Sequence, residues 1–555
     1  MTDYTLKNFG DSFKQASLGV SVDEQNQLEN FASVLRSGAR MVEINLASLY
    51  GHTGKMGSAE RIGRTERQAI SNLADSTNVD LSVHAPWSIN FAGINPKSGS
   101  MDGQFQHQME REVKEALTFA DDVSTGMKKE NMPIIFHASY DNFGNPDKSK
   151  MMWAYDEEEK KVMPLQGEEM NVSAKQFEDL YGKEVVDKLN KIPNGFQKLS
   201  ENRIRLSPEA QLEFFKVQQS SEVSRQRTSY EIQKSNLEAQ RFEIVKELMR
   251  ANLQGDAKEA EKLTKQTEEL NKFIKDLDTA DKRLEIESTM IDKRYVSFDK
   301  KAPSLAAAGI KDAAMYSAFE TKTKPMILVE NTMTPDMSLS NPKETAEAVK
   351  MARQLFVEAA SKKGMSKSDA EDLSRKVIGI NLDVGHVNIF KSYTNPETGK
   401  PYNDQDILNM AMGAKDYLKR YHLHDNMGDS DAHLPLGEGN APVKEVYEAL
   451  KKAGVEAPAI MEVFGGAGGI TGGMAESLQY MGEPIYNDVP YVSMPAYAAH
   501  PYSSLMGDYS TYSNLGLKND IFSAGYGGFS GLSPVLGGGY MNHEGGGSFS
   551  STPMV

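Results

Sequence analysis

The sequence predicts an α/β fold, a (β/α)8 TIM barrel that carries a helical insertion. Three observations support this fold class. Eight short apolar runs alternate with helical stretches along the 555-residue chain. Six of these runs end in His, Asp or Glu, which is where the mouth of such a barrel would lie. One long helical segment interrupts the alternation between the fourth and fifth runs.

Four strand candidates precede the interruption and four follow it. An amphipathic segment near 24–36 separates the first two, and a helical stretch near 103–128 separates the third from the fourth. Strands that alternate with helices in this way are typical of a parallel (β/α)8 barrel. The candidate strands are residues 17–22, 41–46, 80–87, 132–139, 325–332, 377–386, 419–426 and 457–464.

The interruption is predicted to be an insertion over 141–302, so the barrel is expected over 1–140 and 303–470. Ser207-Pro208-Glu209 has an N-cap residue, a proline at the first helical position and an acid in the first turn. The helical pattern breaks at 254–256 and then resumes with Leu or Ile at every seventh position from Leu263 to Ile291. This spacing is typical of coiled coils and predicts an antiparallel helical hairpin over 207–293.

The segment 471–555 is rich in Gly, Ser and Tyr. Such a composition offers little apolar surface to bury, so we expect a disordered tail apart from a short helix near 474–481.

The overall composition excludes several kinds of chemistry. The chain contains no cysteine, which rules out disulfides, thiolate metal ligands and cysteine nucleophiles. It has neither an apolar signal region at the N-terminus nor a run of 18 apolar residues, so we expect a cytoplasmic protein without a membrane partner. The net charge of −16 argues against general polyanion binding, although bound cations can reverse the local sign.

The polar residues at the strand ends predict a metal centre. In a barrel these side chains would converge at one mouth, and several buried carboxylates are costly there unless cations compensate them. Ligands that are all imidazole or carboxylate suit Zn²⁺, with Mn²⁺ or Fe²⁺ as substitutes. Six candidates end strands and three lie in adjacent loops: His84, His137, Glu330, Asp383, His422 and Glu462, then His386, Asp431 and His433.

Seven short motifs resemble the endonuclease IV family of xylose-isomerase-like TIM barrels. The longest is DAHLPLGEGN at 431–440, which combines Asp-x-His with a Leu-Gly-Glu-Gly-Asn turn. The resemblance covers roughly 1–140 and 303–465 and leaves the insertion and the tail without a counterpart. The other motifs are HAPWSIN at 84–90, FHAS at 136–139, VENT at 329–332, LDVGH at 382–386, HLHD at 422–425 and MEV at 461–463.

The resemblance implies three zinc ions. His84, His137 and Glu330 would hold the first ion. Glu330 would bridge to a second ion, whose other ligands would be Asp383, His422 and Glu462, and His386, Asp431 and His433 would hold the third. Side chains two apart on a strand point the same way, so His424 is an alternative to His422. The motif favours His422 as the ligand and leaves His424 and Asp425 as supporting residues.

The same resemblance implies a hydrolase of DNA repair that cleaves a phosphodiester 5′ to an abasic site, with Glu330 and Glu462 as catalytic residues. Metal-activated hydroxide would be the nucleophile. Trp87, Asn90, Arg61 and Arg64 are candidates for contacts with the DNA substrate. Trp87 is equally well explained as a core or rim residue. The loop after the second strand also holds His52, Lys55 and Arg67 opposite Glu60 and Glu66, a modestly basic set that a solvated loop would also explain.

An alternative on the same barrel is a sugar or sugar-phosphate isomerase or epimerase. Relatives of this kind usually hold one divalent ion with two Glu, one Asp and one His. Here Glu330, Asp383, His422 and Glu462 would form that set. The hairpin 207–293 is expected to recruit a protein partner or a second copy or to gate the site, or else to be a solvated spacer. A third hypothesis treats the barrel as a platform for the hairpin in a protein that acts by interaction alone.

Overall fold

The structure is a computed structural model that describes most of the chain. The predictions for His52 and Lys55, and nearly all of those for 471–555, fall outside the described residues. The described residues are 18–22, 27–36, 39, 41–48, 58–95, 98–138, 153–165, 169–335, 339–395, 398–463, 473, 477, 480 and 481.

The first half of the barrel contains four strands with three helices between them. Each strand is five residues long and largely buried. The elements are β1 (Leu18–Val22), α1 (Gln27–Arg36), β2 (Met41–Asn45), α2 (Arg64–Thr77), β3 (Asp80–His84), α3 (Gly103–Met127) and β4 (Pro133–His137).

The segment that follows β4 contains short strands and two long helices. Ser207 caps the first long helix by accepting a hydrogen bond from the backbone N–H of Ala210, and Gly255 ends that helix with a φ of 73°. The elements are β5 (Trp153–Asp156), β6 (Lys161–Pro164), β7 (Glu169–Met170), α4 (Ala174–Tyr181), α5 (Lys183–Asn190), β8 (Phe196–Ser200), β9 (Arg203–Leu206), α6 (Pro208–Gln254), α7 (Ala257–Arg294) and β10 (Tyr295–Ser297).

The second half of the barrel contains the remaining strands and helices. A short 3-10 turn follows the helix that begins at Val384. The elements are α8 (Phe298–Glu320), β11 (Met326–Glu330), α9 (Pro342–Lys362), α10 (Lys367–Val377), β12 (Ile378–Asp383), α11 (Val384–Asn388), β13 (Thr394–Asn395), β14 (Lys400–Pro401), α12 (Asp404–Met412), β15 (Leu418–Leu423), α13 (Val443–Lys452) and β16 (Ala459–Met461).

Eight strands close into a barrel in the order β1-β16-β15-β12-β11-β4-β3-β2. Every neighbouring pair is parallel, with helices between consecutive strands. The predicted (β/α)8 TIM barrel is therefore confirmed.

The register brings the predicted site residues to one end of the barrel. Glu330 pairs with His137 across β11 and β4, and Asp383 pairs with His422 across β12 and β15. Because parallel strands end at the same edge, these side chains share the carboxyl-terminal mouth.

Several strands are shorter than the sequence predicts. Within the run 377–386 the strand β12 ends at Asp383, because Asp383 acts as the N-cap of α11 and accepts a hydrogen bond from the backbone N–H of His386. Likewise, β3 ends at His84 and β16 ends at Met461. The potential ligands thus stand at or just beyond the points where the chain leaves the sheet.

The chain divides into two compact units, Met1–Ser149 with Asp299–Val555, and Lys150–Phe298. Within the second unit α6 and α7 pack as an antiparallel hairpin. Arg227 pairs with Asp281 at 2.8 Å and Lys234 pairs with Asp278 at 2.6 Å, so the partner number falls as the residue number rises. Two small apolar cores stabilise this unit, one around Tyr295 and one around Phe177.

Among the described residues, no helix is both long enough and apolar enough to cross a membrane.

Candidate metal centre

All nine predicted ligands lie near the carboxyl-terminal mouth of the barrel or in the loops above it. His84, His137, Glu330 and Asp383 are the last residues of β3, β4, β11 and β12. Most of these side chains are buried, and Glu330, Asp383 and His422 have no exposed surface. Their donor atoms fall into three groups whose members lie within 4.8 Å of one another: first His84 with His137 and Glu330; second Glu330 with Asp383, His422 and Glu462; third His386 with His424, Asp431 and His433. His84, His422 and Glu462 also lie within this distance of one another and connect the first two groups.

The first two groups share Glu330. Its Oε2 lies 3.4 Å from Nε2 of His84 and 3.2 Å from Nδ1 of His422. The same Nδ1 of His422 lies 3.2 Å from Oε2 of Glu462. The His84 and His137 rings meet edge to face with centroids 5.3 Å apart. A single carboxylate therefore lies between both groups, which is the position that the resemblance to endonuclease IV implies for a bridging ligand.

The third group contains His424 in addition to the three predicted residues. Asp431 lies at its centre, with Oδ2 at 3.4 Å from Nε2 of His386 and 3.0 Å from Nε2 of His433. Oδ1 of Asp431 lies 3.3 Å from Nε2 of His424. His422 and His424 thus contribute to different groups, although both belong to the HLHD motif. From the sequence, His424 is expected only as a supporting residue or as an alternative to His422.

Backbone carbonyls orient the imidazoles. Nδ1 of His84 lies 2.7 Å from the Ala85 carbonyl, and Nδ1 of His386 lies 2.8 Å from that of Asn331. Nδ1 of His433 lies 2.8 Å from the Glu462 carbonyl. A carbonyl oxygen only accepts hydrogen bonds, so Nδ1 must carry the proton. In the neutral ring the lone pair is then on Nε2, the nitrogen that faces the other donors, as metal-binding histidines require.

The carboxylates and imidazoles perturb one another strongly. Burial by itself would raise the pKa of Glu462, but the neighbouring His422 lowers it to about 2. Burial would lower the pKa of His84, yet Glu330, Glu462 and Glu43 raise it to about 9. Burial, together with His84 and His386, lowers the pKa of His137 to about 4. The lowered pKa values of Glu330, Asp431 and Glu462 keep these three carboxyls ionised at neutral pH, the form in which a carboxylate binds a metal ion.

These residues fit a metal ion. Within the described part of the chain, several buried donor atoms have no hydrogen-bond partner, including Oε1 of Glu330, Oδ2 of Asp383 and Nδ1 of His422. Buried polar atoms are normally satisfied, so an unpaired set that converges on one place indicates a missing ligand. A donor set of imidazole and carboxylate suits Zn²⁺, Mn²⁺ or Fe²⁺ and does not distinguish among them.

Side chains around the site support its ligands. Asn331 exchanges two hydrogen bonds with the backbone of Asp383, at 3.0 and 2.9 Å, and Asn381 donates to Oε2 of Glu330 at 3.2 Å. The carboxylate of Asp425, a predicted supporting residue, accepts backbone N–H groups of Asn426, Gly437 and Ala441 at 2.9 Å each. Asp425 thereby holds the DAHLPLGEGN loop.

Sequence reasoning missed a charged network inside the barrel. Glu43 on β2 is fully buried, with Oε1 at 2.9 Å from Nε2 of His422. Its Oε2 accepts a hydrogen bond from Ser82 at 2.8 Å, and Ser82 accepts one from Arg420 at 2.5 Å. The available signal was a lone Glu inside the apolar run 41–46.

The residues predicted to contact the substrate differ in their exposure to solvent. Trp87 is 44% exposed, and Arg61 and Arg64 are exposed on the surface. Asn90 is buried, and its amide exchanges two 3.2 Å hydrogen bonds with the backbone of Ile94. Their role in substrate binding stays a prediction. Arg67 is instead tied to the Ile62 carbonyl at 2.8 Å and to Asp122 at 2.7 Å.

Sequence comparisons connect the second half of the barrel with a known family. Residues 326–483 match the family described as xylose isomerase-like TIM barrel. An uncharacterized protein of Methanocaldococcus jannaschii is 36% identical over 87 residues, which are 16% of this chain and 26% of that protein. The chain thus matches about a quarter of the length of this curated relative.

Two solved structures are similar over 84% of this chain and 98% of their own length. One is a D-tagatose 3-epimerase-like protein, with 13% identity and a TM-score of 0.39. The other is described as a candidate xylose isomerase from Rhodospirillum rubrum, with 10% identity and a TM-score of 0.38. Membership of the endonuclease IV family specifically is not confirmed by these comparisons. The closed parallel barrel shows the TIM-barrel fold, and its second half, over residues 326–483, matches the xylose isomerase-like TIM barrel family.

Proposed function

We propose that the protein is a divalent-metal isomerase or epimerase that acts on a small sugar or sugar phosphate. The observation that carries this proposal is the group Glu330, Asp383, His422 and Glu462, whose donor atoms lie within 4.8 Å of one another. Two Glu, one Asp and one His form the ligand set expected for a one-ion isomerase. All four lie within the residues that match the xylose isomerase-like family, whereas His84 and His137 lie before them.

The two glutamates of this group can move a proton. His422 lowers the pKa of both carboxyls against the opposing effect of burial, so each is ionised at neutral pH and able to accept a proton. The Glu462 side chain is 7% exposed and that of Glu330 is fully buried. Glu462 is therefore the better placed to take a proton from a substrate carbon next to a carbonyl group.

The same four residues would hold the ion. A bound divalent cation supplies a Lewis acid that polarises a substrate carbonyl, and a group of such ions can also activate water. Asn331 and Asn381 fix the orientation of Asp383 and Glu330 through the hydrogen bonds described above. Glu43 contacts His422 from the opposite side of the ring. The ligands are thus held in place before any substrate arrives.

A second candidate is the zinc-dependent phosphodiester hydrolase that resembles endonuclease IV. It is favoured by the group His84, His137 and Glu330, because a one-ion isomerase does not need the first two as ligands. The exposed indole of Trp87 is compatible with stacking on a nucleic-acid base. Duplex DNA with an abasic site would then be the substrate.

One experiment separates the two candidates. The full chain is stripped of metal, reloaded with Zn²⁺ or Mn²⁺, and incubated in deuterated water with a panel of ketoses and ketose phosphates. We expect metal-dependent incorporation of deuterium at carbon. Glu462→Gln should lower the rate by about 10²–10⁴-fold, because it removes the proton acceptor. Glu358→Gln, on the exposed face of α9, is the matched control and should leave the rate unchanged.

The same preparations are given a duplex with one synthetic abasic site. EDTA-sensitive nicking by the zinc-loaded protein, without deuterium exchange on any sugar, would overturn the isomerase proposal in favour of the hydrolase. His137→Asn should then abolish nicking, whereas it should leave a one-ion isomerase active.

A further inference from the structure

The group above β12 and β15 contains one more donor than the resemblance to endonuclease IV implies. His386, Asp431 and His433 are the three implied ligands, and His424 joins them. We propose that His424 is the fourth ligand of a closed zinc site with these residues. Zinc sites with four protein ligands are structural, whereas catalytic sites keep one position open. This inference does not depend on which reaction the barrel catalyses.

The distances among the donors suit tetrahedral zinc. Bonds of about 2.0–2.1 Å at tetrahedral angles would separate neighbouring donors by about 3.3–3.4 Å. Oxygens of Asp431 lie 3.4 Å from Nε2 of His386, 3.3 Å from Nε2 of His424 and 3.0 Å from Nε2 of His433. Every pair of donors in the group also lies within 4.8 Å, so the arrangement is compatible with one ion that all four residues enclose.

Nε2 of His424 points into this group, where it lies close to carboxylate oxygens without forming a hydrogen bond. The side chain is fully buried, and within the described part of the chain neither its Nε2 nor Oδ1 of Asp431 has a hydrogen-bond partner. Its Nδ1 lies 3.4 Å from the Asp425 carbonyl, on the side away from the group. A buried nitrogen without a hydrogen bond is costly, and a bound cation would remove that cost.

The His424 ring occupies space that a side chain at position 385 would fill. A Cβ on Gly385 would lie 2.0 Å from Cε1 and 2.3 Å from Nε2 of His424, which is well inside contact distance. Glycine at position 385, directly before His386, thus lets the two imidazoles approach with ring centroids 5.7 Å apart. The rings of His424 and His433 stack at 4.2 Å on the other side.

His424 has a competing neighbour. Its Nε2 also lies 3.1 Å from Oδ1 of Asp383, so the ring could instead support that residue without touching an ion. The two arrangements differ in the number of ions that the protein retains. Loss of a ligand removes an ion from the third group, whereas loss of a support leaves the ion count unchanged.

The test compares the zinc that full-length variants retain after dialysis against a moderate chelator. We expect His424→Asn to retain one zinc per chain fewer than the unmodified protein, by elemental analysis. His107→Asn replaces an exposed histidine of α3 and should retain the full number. Circular dichroism checks that each variant is folded. A folded His424→Asn chain that retains every zinc would overturn the proposal.

A measurement on the unmodified protein keeps the proposal testable if the variant does not fold. In crystals of the zinc-loaded protein, an anomalous peak should lie about 2.0–2.1 Å from Nε2 of His424 and from the other three donors. A peak bonded to His386, Asp431 and His433 but out of reach of His424 would contradict the assignment. A group without any peak in zinc-loaded crystals would contradict it as well.

Discussion

Glu43 brings a charge into the interior of the barrel directly behind a candidate ligand. Its Oε1 lies 2.9 Å from Nε2 of His422, while Nδ1 of that ring faces Glu330 and Glu462. Ser82 holds the other carboxylate oxygen at 2.8 Å. A carboxylate behind a metal-binding imidazole fixes the orientation of the ring and increases its basicity. Glu43 is therefore a positioning residue for His422.

We predict that Glu43→Gln weakens metal binding at the Glu330–Asp383–His422–Glu462 group. The amide keeps an acceptor near the ring but loses the charge, so the affinity should fall about tenfold, the lower end of the range for such partners. Competition with a chromophoric chelator measures the affinity directly. Glu29→Gln, on the exposed surface of α1, is the control. An unchanged affinity in a folded Glu43→Gln protein would show that the charge does not act on His422.

Some residues of the candidate site could be predicted from the sequence, and others could not. That the nine candidate ligands lie near one end of the barrel was predictable, because the carboxyl ends of parallel strands must meet at one edge. The place of His424 was not, because alternation on a strand gives it the same side as His422 and cannot assign it to a group. Glu43 was missed because its partners, Ser82 and His422, come from distant parts of the sequence.

At the scale of elements, the barrel strands and the hairpin followed from periodicity, and the strand ends did not. Asp383 ends β12 because it caps α11, which depends on a hydrogen bond that no apolar pattern records. In α7, the heptad residues Leu263 and Ile291 are buried as expected, and Ile274 is buried between the heptad positions. Asp281 lies seven residues after Ile274, on the same face of α7, and pairs with Arg227 on α6. A polar residue at this position therefore still contributes to the contact between the two helices.

The junction of β5 with α7 depends on a buried ion pair. Asp156 is 2% exposed and accepts hydrogen bonds from the guanidinium of Arg294 at 2.8–3.1 Å. It also accepts the backbone N–H groups of Glu158 and Glu159. Burial would raise the pKa of Asp156, but Arg294 and these N–H groups together lower it below its usual value. The ionised carboxylate therefore stabilises the folded state.

We predict that Asp156→Asn lowers the free energy of unfolding of this unit by about 2 kcal/mol at pH 7, the value typical of hydrogen bonds to charged groups. The folded pKa lies below the unfolded one, so this stabilisation is complete above about pH 4 and is lost as the pH falls through the folded pKa. The difference between variant and parent should accordingly shrink at pH 3.

Urea unfolding followed by tryptophan fluorescence measures this effect in a Trp87→Phe background. Trp153 at the start of β5 is then the only tryptophan, so the signal reports on this unit. Asp187→Asn, on the exposed face of α5, should have little effect at either pH. A difference between Asp156→Asn and its parent that is as large at pH 3 as at pH 7 would contradict the ion-pair explanation.

The chain divides into two compact units, and the unit Lys150–Phe298 has two apolar cores of its own. The hairpin enters both cores near its root, where Phe214, Val223 and Ile291 are buried. Farther out, Ile232, Phe242 and Phe273 are each more than half exposed. The distal hairpin therefore contributes little to either core, and its role in recruiting a partner or a second copy stays a prediction.

We predict that the barrel keeps its fold and its metal content when the distal hairpin is removed. Arg227 and Asp281 lie side by side, with Nε and Oδ1 2.8 Å apart, so a short Gly/Ser loop can replace 228–280 without separating the helices. Removing all of 207–293 would instead strip Leu212 and Ile291 from the core. Elemental analysis compares the metal content of the trimmed and full chains, and thermal unfolding compares their stability. Loss of bound metal in a folded trimmed chain would contradict the prediction.

Light scattering on the same samples tests self-association, because an assembly held together by the distal hairpin should dissociate when 228–280 is removed.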